Sequence, residues 1–156
     1  MENRCPFCSD QIKKQVFLEC DDMLAIYNIS PILPGHSLII PKKHFETIND
    51  FTESELTVFF NFARKATQLL CLAFGSEGFD WSLQESEAAG QSIPHLHLHI
   101  IPRKKNDLNN PGDWFQMLEK NRYQALDSKN RKPVSSTEIE SVIRHIRSFL
   151  LHDGND

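Results

Sequence analysis

Residues 95 to 101 read His-Leu-His-Leu-His-Ile-Ile. Successive side chains of a strand point to opposite faces, so His95, His97 and His99 project to one side and Leu96, Leu98 and Ile100 to the other. The pattern predicts a strand over 95–102 carrying a row of imidazoles about 13 Å long, at about 3.3 Å per residue. Imidazole serves near neutral pH as nucleophile, proton carrier or metal ligand. With bonds of about 2.1 Å, one ion cannot gather ligands spread over that length. The three histidines should therefore divide their labour into one structural, one chemical and one assisting group. His97, flanked on both sides, is the candidate nucleophile; attack needs a neutral ring with one nitrogen free and the other held by an acceptor. Phosphoryl groups suit such a nucleophile, because Lys42, Lys43, Arg103, Lys104 and Lys105 bracket the region and can act as point charges. Each of these cations reads equally well as part of a solvated charge run.

The segment Cys5-Pro-Phe-Cys8 has the spacing that lets two thiolates reach one tetrahedral ion. Two further ligands are then needed. His44, in Pro-Lys-Lys-His, and His95, which opens the triad, are the natural candidates, giving a structural Zn²⁺ site of Cys5, Cys8, His44 and His95. The alternative is a pair of reduced thiols without metal.

Five strands and a long helix should position these groups. Val16 to Cys20 and Met23 to Asn28 read as a hairpin around Asp21-Asp22. After the turn-rich Ser30 to Gly35, His36 to Pro41 reads as a third, buried strand, and Phe79 to Gln84 as the one before the triad. Thr52-Glu-Ser-Glu55 is a capping box, with Phe51 and Leu56 at the staple positions. Leu56, Phe59, Phe60, Ala63, Ala66 and Leu70 recur at helical spacing up to about Phe74, before Gly75. The pattern is α+β with a mostly antiparallel five-stranded sheet and one long inserted helix. Asn106 to Gly112 reads as a mobile loop. Ser135 to Glu138 caps a C-terminal helix whose stripe is Ile139, Val142, Ile143, Ile146 and Phe149, and His145 is expected on its surface. Residues 1–105 form the expected domain, with 106–156 a loop and helical extension packed on it.

Length and composition bound the function. A chain of 156 residues, 40% apolar and 24% charged, suits one domain with a real core. Its net charge of -4 gives no hint of nucleic-acid or membrane binding. Apolar runs stay far below the roughly 20 residues that span a bilayer. Four cysteines and an N-terminus without a signal-like apolar stretch point to a cytoplasmic protein with reduced thiols or metal ligation.

The alternating heptad resembles the signature of the histidine-triad (HIT) family, and the resemblance covers residues 3 to 105. Asn28 to His36 is similar to that family's ribose-side turn, and Gly90-Gln91-Ser92 leading into Pro94-His95 to its phosphate-binding segment. The resemblance implies the HIT-like fold and assigns His97 as the nucleophile on the α-phosphate, forming a nucleotidyl-histidine. It implies that His99 steadies the phosphate and leaving group, and that His95 supports geometry and ligates metal in zinc-containing relatives. Gln91 and Ser92 would touch phosphates, and Asn28 the ribose. Trp81 to Gln84, Glu87 to Gln91 and Ile101 to Lys104 look like the fragile-histidine-triad branch, with Gln84 a further phosphate contact. That branch hydrolyses dinucleoside polyphosphates such as diadenosine tri- and tetraphosphate, which commonly arrive bound to Mg²⁺. A zinc-type N-terminus is more typical of prokaryotic members of broad specificity. Phosphoramidase and nucleotidyltransferase activities are the enzymatic alternatives, and a nucleotide-binding sensor or scaffold the non-enzymatic one. The resemblance further implies a homodimer with the helix after Thr52 at the contact.

Overall fold

The two apolar runs beside Asp21-Asp22 form the predicted hairpin in the computed structural model, which describes residues 5–119 and 133–151. Strand β1 (Val16–Glu19) pairs antiparallel with β2 (Met23–Tyr27), and β2 with β3 (Ser37–Pro41), all five of whose residues are buried. Helix α1 (Glu53–Phe74) then crosses to β4 (Gly78–Leu83), and β5 (Leu98–Arg103) returns between β3 and β4. The order is β1-β2-β3-β5-β4, and every pairing is antiparallel. The triad segment therefore runs beside β3, with Leu38 opposite His99.

Strand β5 starts at Leu98 and not at His95. Its register with β3 would bring Leu96 opposite Pro41, which has no N–H to donate, so the ladder stops. The Leu96 N–H instead donates to the Phe45 carbonyl at 2.6 Å. The alternation survives nonetheless: Leu96, Leu98 and Ile100 sit in the main core, and His95, His97 and His99 are buried on the other face.

The α1 capping box forms as expected, since the Glu55 N–H donates to Thr52 Oγ1 and the Thr52 N–H to Glu55 Oε2. Gly75 closes the helix in the left-handed region. Phe59, Ala63, Ala66 and Leu70 are buried against the sheet. Phe60 departs from the expected stripe: it is 37% exposed and stacks on Trp81 at the β4 edge. Ser135 caps α3 (Ser136–Ser148), whose Ile139, Ile143 and Ile146 enter the same core. His145 lies on the exposed side of the helix as expected, and its Nε2–H donates to the Ala73 carbonyl at 2.7 Å, tying α3 to the end of α1.

The segment after β5 is ordered by Arg103. Its guanidinium donates to both Asp107 carboxylate oxygens at 2.9 and 2.8 Å, to Asp80 at 2.6 Å and to the Pro111 carbonyl at 2.7 Å. The stretch expected to be a mobile loop is thus a set of pinned turns leading to a short helix, α2 (Asp113–Glu119), which sequence patterning did not reveal.

Candidate active site

Each triad histidine has a different environment. The His97 Nδ1–H donates to the His95 carbonyl at 2.8 Å, which leaves Nε2 with its lone pair. Burial pushes the His97 imidazole below its ordinary pKa, so the ring is neutral, as a nucleophile requires. The His99 ring lies 5.1 Å from that of His97 at 71°.

A fourth histidine, His36, to which the sequence assigns a strand start and the end of the ribose-side turn but no chemical role, completes the arrangement. The Ile32 N–H donates to His36 Nδ1 at 3.1 Å, so neutral His36 carries its proton on Nε2. That proton points to His99 Nδ1 at 3.0 Å. His99 Nδ1 is then an acceptor, and its own proton sits on Nε2. His36 and His99 are buried, and the relay is built by the tight turn at Gly35, where φ is +91°. An added Cβ there would meet Pro102 at 2.8 Å and Phe74 at 3.0 Å, so only glycine fits.

His97 and His99 open onto a cavity of about 340 Å³. Phe7, Ile12, Ile26 and Leu38 form its apolar flank, and Asn28, Gln84 and Ser92 join the two histidines on the polar side. Asn28 is fixed by accepting the Ser30 N–H at its Oδ1, at 2.9 Å. Gln11, Gln15 and Leu118 also line the space, none of them anticipated; they come from the 3-10 turn Asp10–Gln15 and from α2. Gln91 is not among the lining residues. Its Oε1 accepts the Ser86 N–H at 2.8 Å and its Nε2 donates to the Glu46 carbonyl at 3.3 Å.

The basic residues expected to bracket the phosphates do not reach the cavity. Lys42 pairs with Glu19 at 3.2 Å, Lys43 lies over the Phe45 ring at 4.5 Å, and Arg103 is saturated by Asp80 and Asp107. These three cations found anionic or π partners away from the cavity.

His95 faces away from the cavity into a separate cluster. Its Nε2–H donates to the Pro41 carbonyl at 2.8 Å, so Nδ1 carries a lone pair. That nitrogen lies 3.4 Å from Cys5 Sγ and 3.5 Å from Cys8 Sγ, and His44 Nδ1 lies 3.4 Å from Cys8 Sγ. The four ligand atoms all fall within 4.8 Å of one another. A tetrahedral ion about 2.3 Å from sulfur and about 2.1 Å from nitrogen would hold S and N about 3.6 Å apart. The donors therefore fit a metal with little movement. The outer partners fit as well: a backbone carbonyl on His95 and the Glu46 carboxylate 3.6 Å from His44 Nε2 orient the rings as metal-ligating histidines require. Burial and the adjacent Cys5 thiol push the Cys8 thiol up, a cost that a cation would reverse.

A family model described as the HIT domain matches residues 9–106. The chain is 38% identical over 121 residues to the bis(5'-nucleosyl)-tetraphosphatase [asymmetrical] of Schizosaccharomyces pombe, covering 78% of this chain and 66% of that protein. It is 33% identical over 143 residues to the bis(5'-adenosyl)-triphosphatase of Dictyostelium discoideum, covering 92% and 90%. Among solved structures, a hypothetical histidine triad nucleotide-binding protein from Sulfolobus tokodaii superposes with a TM-score of 0.74 at 25% identity, over 95% of this chain and 93% of that one. Cys5 and Cys8 fall outside the span matched by the family model, whereas His36, His95, His97 and His99, the buried histidines among the described residues, fall inside it. Sequence and backbone lead to the same assignment: this chain belongs to the HIT family.

Proposed function

We propose that the protein hydrolyses dinucleoside polyphosphates, such as diadenosine tri- or tetraphosphate, by double displacement at His97. The observation that carries this reading is the fixed tautomer of His97, whose Nδ1–H is held by the His95 carbonyl while its ring lines the cavity beside His99. The names of the relatives from Schizosaccharomyces pombe and Dictyostelium discoideum support the substrate class.

In the first step His97 Nε2 forms a bond to the α-phosphorus and the bond to the bridging oxygen breaks, releasing the remaining nucleotide. The imidazolium that develops is stabilised by the His95 carbonyl, which already accepts its Nδ1–H. His99 Nε2–H, set by His36, donates to the phosphoryl or leaving-group oxygen. Water then attacks the same phosphorus and returns the His97 nitrogen, releasing a nucleoside monophosphate. Ser92 and Gln84 are placed to bind phosphate oxygens, and Asn28 to meet the ribose. Gln91 would join them only after leaving Ser86 and Glu46. Among the described residues no basic side chain lines the cavity, and Mg²⁺ carried by the polyphosphate would supply countercharge there.

Two thiolates and two imidazoles in tetrahedral reach favour Zn²⁺ at Cys5, Cys8, His44 and His95, as a structural ion with no open position. A reducing compartment such as the cytoplasm would keep the free thiols available. Phe60, Phe79 and Trp81 form an exposed aromatic cluster on α1 and the edge strand β4, which supports a homodimer through that edge.

Turnover decides the function. The purified protein, offered diadenosine triphosphate, diadenosine tetraphosphate and adenosine 5′-phosphoramidate separately, should show the highest kcat/KM on a dinucleoside polyphosphate. A preference for the phosphoramidate would move it to the phosphoramidase reading. Absence of any turnover would leave a nucleotide-binding protein.

A further inference from the structure

Phe7 lies between the two thiol ligands in sequence and between the metal cluster and the cavity in space. Its ring meets His95 edge-on at 5.8 Å and 83°, and His97 at 5.3 Å and 69°. It also packs on the small apolar cluster that contains Ile12, Ile26 and Leu38. On its other side is an outer cleft of about 530 Å³ that Cys8, Lys13 and Arg147 help to line, so the Phe7 ring borders both spaces.

The backbone that carries this ring is short and exposed on both sides of it. The Pro6–Cys8 turn is a single 3-10 turn with no buried residue, closed by the Cys8 N–H donating to the Cys5 carbonyl at 3.1 Å and by the Ser9 N–H and hydroxyl donating to the Pro6 carbonyl at 3.2 and 2.8 Å. A 3-10 turn of that length has no stability of its own. Beyond these local bonds and the packing of Phe7, its tie to the body is the side-chain cluster at Cys5 and Cys8, two residues that flank the Pro6-Phe7 pair on either side.

We propose that the metal acts on the nucleotide cavity through Phe7. With both thiolates bound, Phe7 is the wall that separates the cavity from the outer cleft and the edge that steadies His97. Without the ion the turn loosens, the wall opens, and nucleotide affinity falls while the sheet stays intact. Phe7 is thus a positioning residue whose influence requires metal occupancy. This inference rests on the metal and nucleotide readings above.

The test is a double cycle of metal removal against Phe7→Ala, read as the Kd for adenosine monophosphate by calorimetry. Chelator treatment of the wild type should raise Kd about tenfold, as truncating an aromatic anchor does. Phe7→Ala with metal bound should raise it by a similar factor, Phe7→Leu by less, and stripping metal from Phe7→Ala should add less than about twofold, because the two changes remove one wall. A 4-fluorophenylalanine placed at position 7 should show its fluorine resonance shift and broaden on chelation, with far-UV circular dichroism unchanged. The proposal is overturned if the two effects multiply, if chelation leaves Kd or the fluorine line unmoved, or if chelation melts the whole fold. Undetectable binding of the monophosphate by the loaded protein, or metal content near zero, overturns it as well. Failure of the hydrolase reading alone would appear differently, as no turnover of dinucleoside polyphosphates with the binding and fluorine responses intact.

Discussion

His97 and His99 are both imidazoles on one face of the chain, yet their neighbours give them opposite proton placements. A backbone carbonyl holds the proton of His97 on Nδ1, and His36 leaves the proton of His99 on Nε2. Replacing His97 with Ala should therefore remove the nucleophile itself and lower kcat at least about 10⁴-fold, with nucleotide Kd within a small factor of wild type by calorimetry. His36→Phe should act differently. It removes the N–H that fixes His99 without touching the nucleophile, so kcat should fall about 10²-fold, the loss typical of one preorganised donor, with KM little changed. A steady-state comparison of the two variants checks this; equal losses would mean that His36 does more than orient its neighbour. The nucleophile was legible from the heptad because alternation along a strand is local. The His36–His99 bond was not, because it depends on which strand lies beside β5, and β3 precedes it by some sixty residues with α1 and β4 in between.

At the level of elements, two devices place the site. The first is the turn at Gly35, which brings the chain into β3 with His36 facing His99. Gly35→Ala would combine a left-handed backbone with contact against Pro102 and Phe74, and should cost about 2 kcal/mol or more. Chemical denaturation reads that loss as a lower midpoint at unchanged slope. The second is the brace at the end of β5. Arg103 holds the Asp107 carboxyl down to about 2, with burial opposing, and a carboxyl depressed on folding stabilises above its unfolded pKa. That contribution is present at neutral pH and is lost as pH falls from about 4 through about 2. Asp107→Asn should lower Tm at pH 7 by about 2–4 °C, the shift expected for roughly 1 kcal/mol in a chain of this size. Below pH 2 the variant and wild type should converge. Helix caps at Thr52 and Ser135 were legible because a capping box is written in four consecutive residues. The brace was not, since nothing in Arg103-Lys-Lys marks one cation for Asp80 and Asp107 and leaves the next two outside.

For the whole molecule, the sheet has two unlike edges. β1 is covered by α3, whose Arg147 donates to the Val16 carbonyl at 2.8 Å. β4 carries Phe79, 49% exposed, and shares an aromatic cluster with Phe60 of α1. Light scattering should accordingly report about two chains per particle, and Phe79→Asp should shift the distribution toward one, because a charge on an apolar sheet edge discourages pairing. A monomeric wild type would reject that assembly.

His95 serves three partners with three different atoms. Its Nδ1 faces the thiols, its Nε2–H goes to Pro41, and its main-chain oxygen accepts the proton of His97. The last of these belongs to the peptide and not to the side chain, so every amino acid placed at position 95 would still present it. Side-chain scanning will consequently undervalue this residue, registering the lost ligand and missing the support given to the reacting ring. An amide-to-ester exchange between residues 95 and 96, which weakens that oxygen as an acceptor and deletes the N–H that reaches Phe45, is the kind of edit that would expose the hidden part of its contribution.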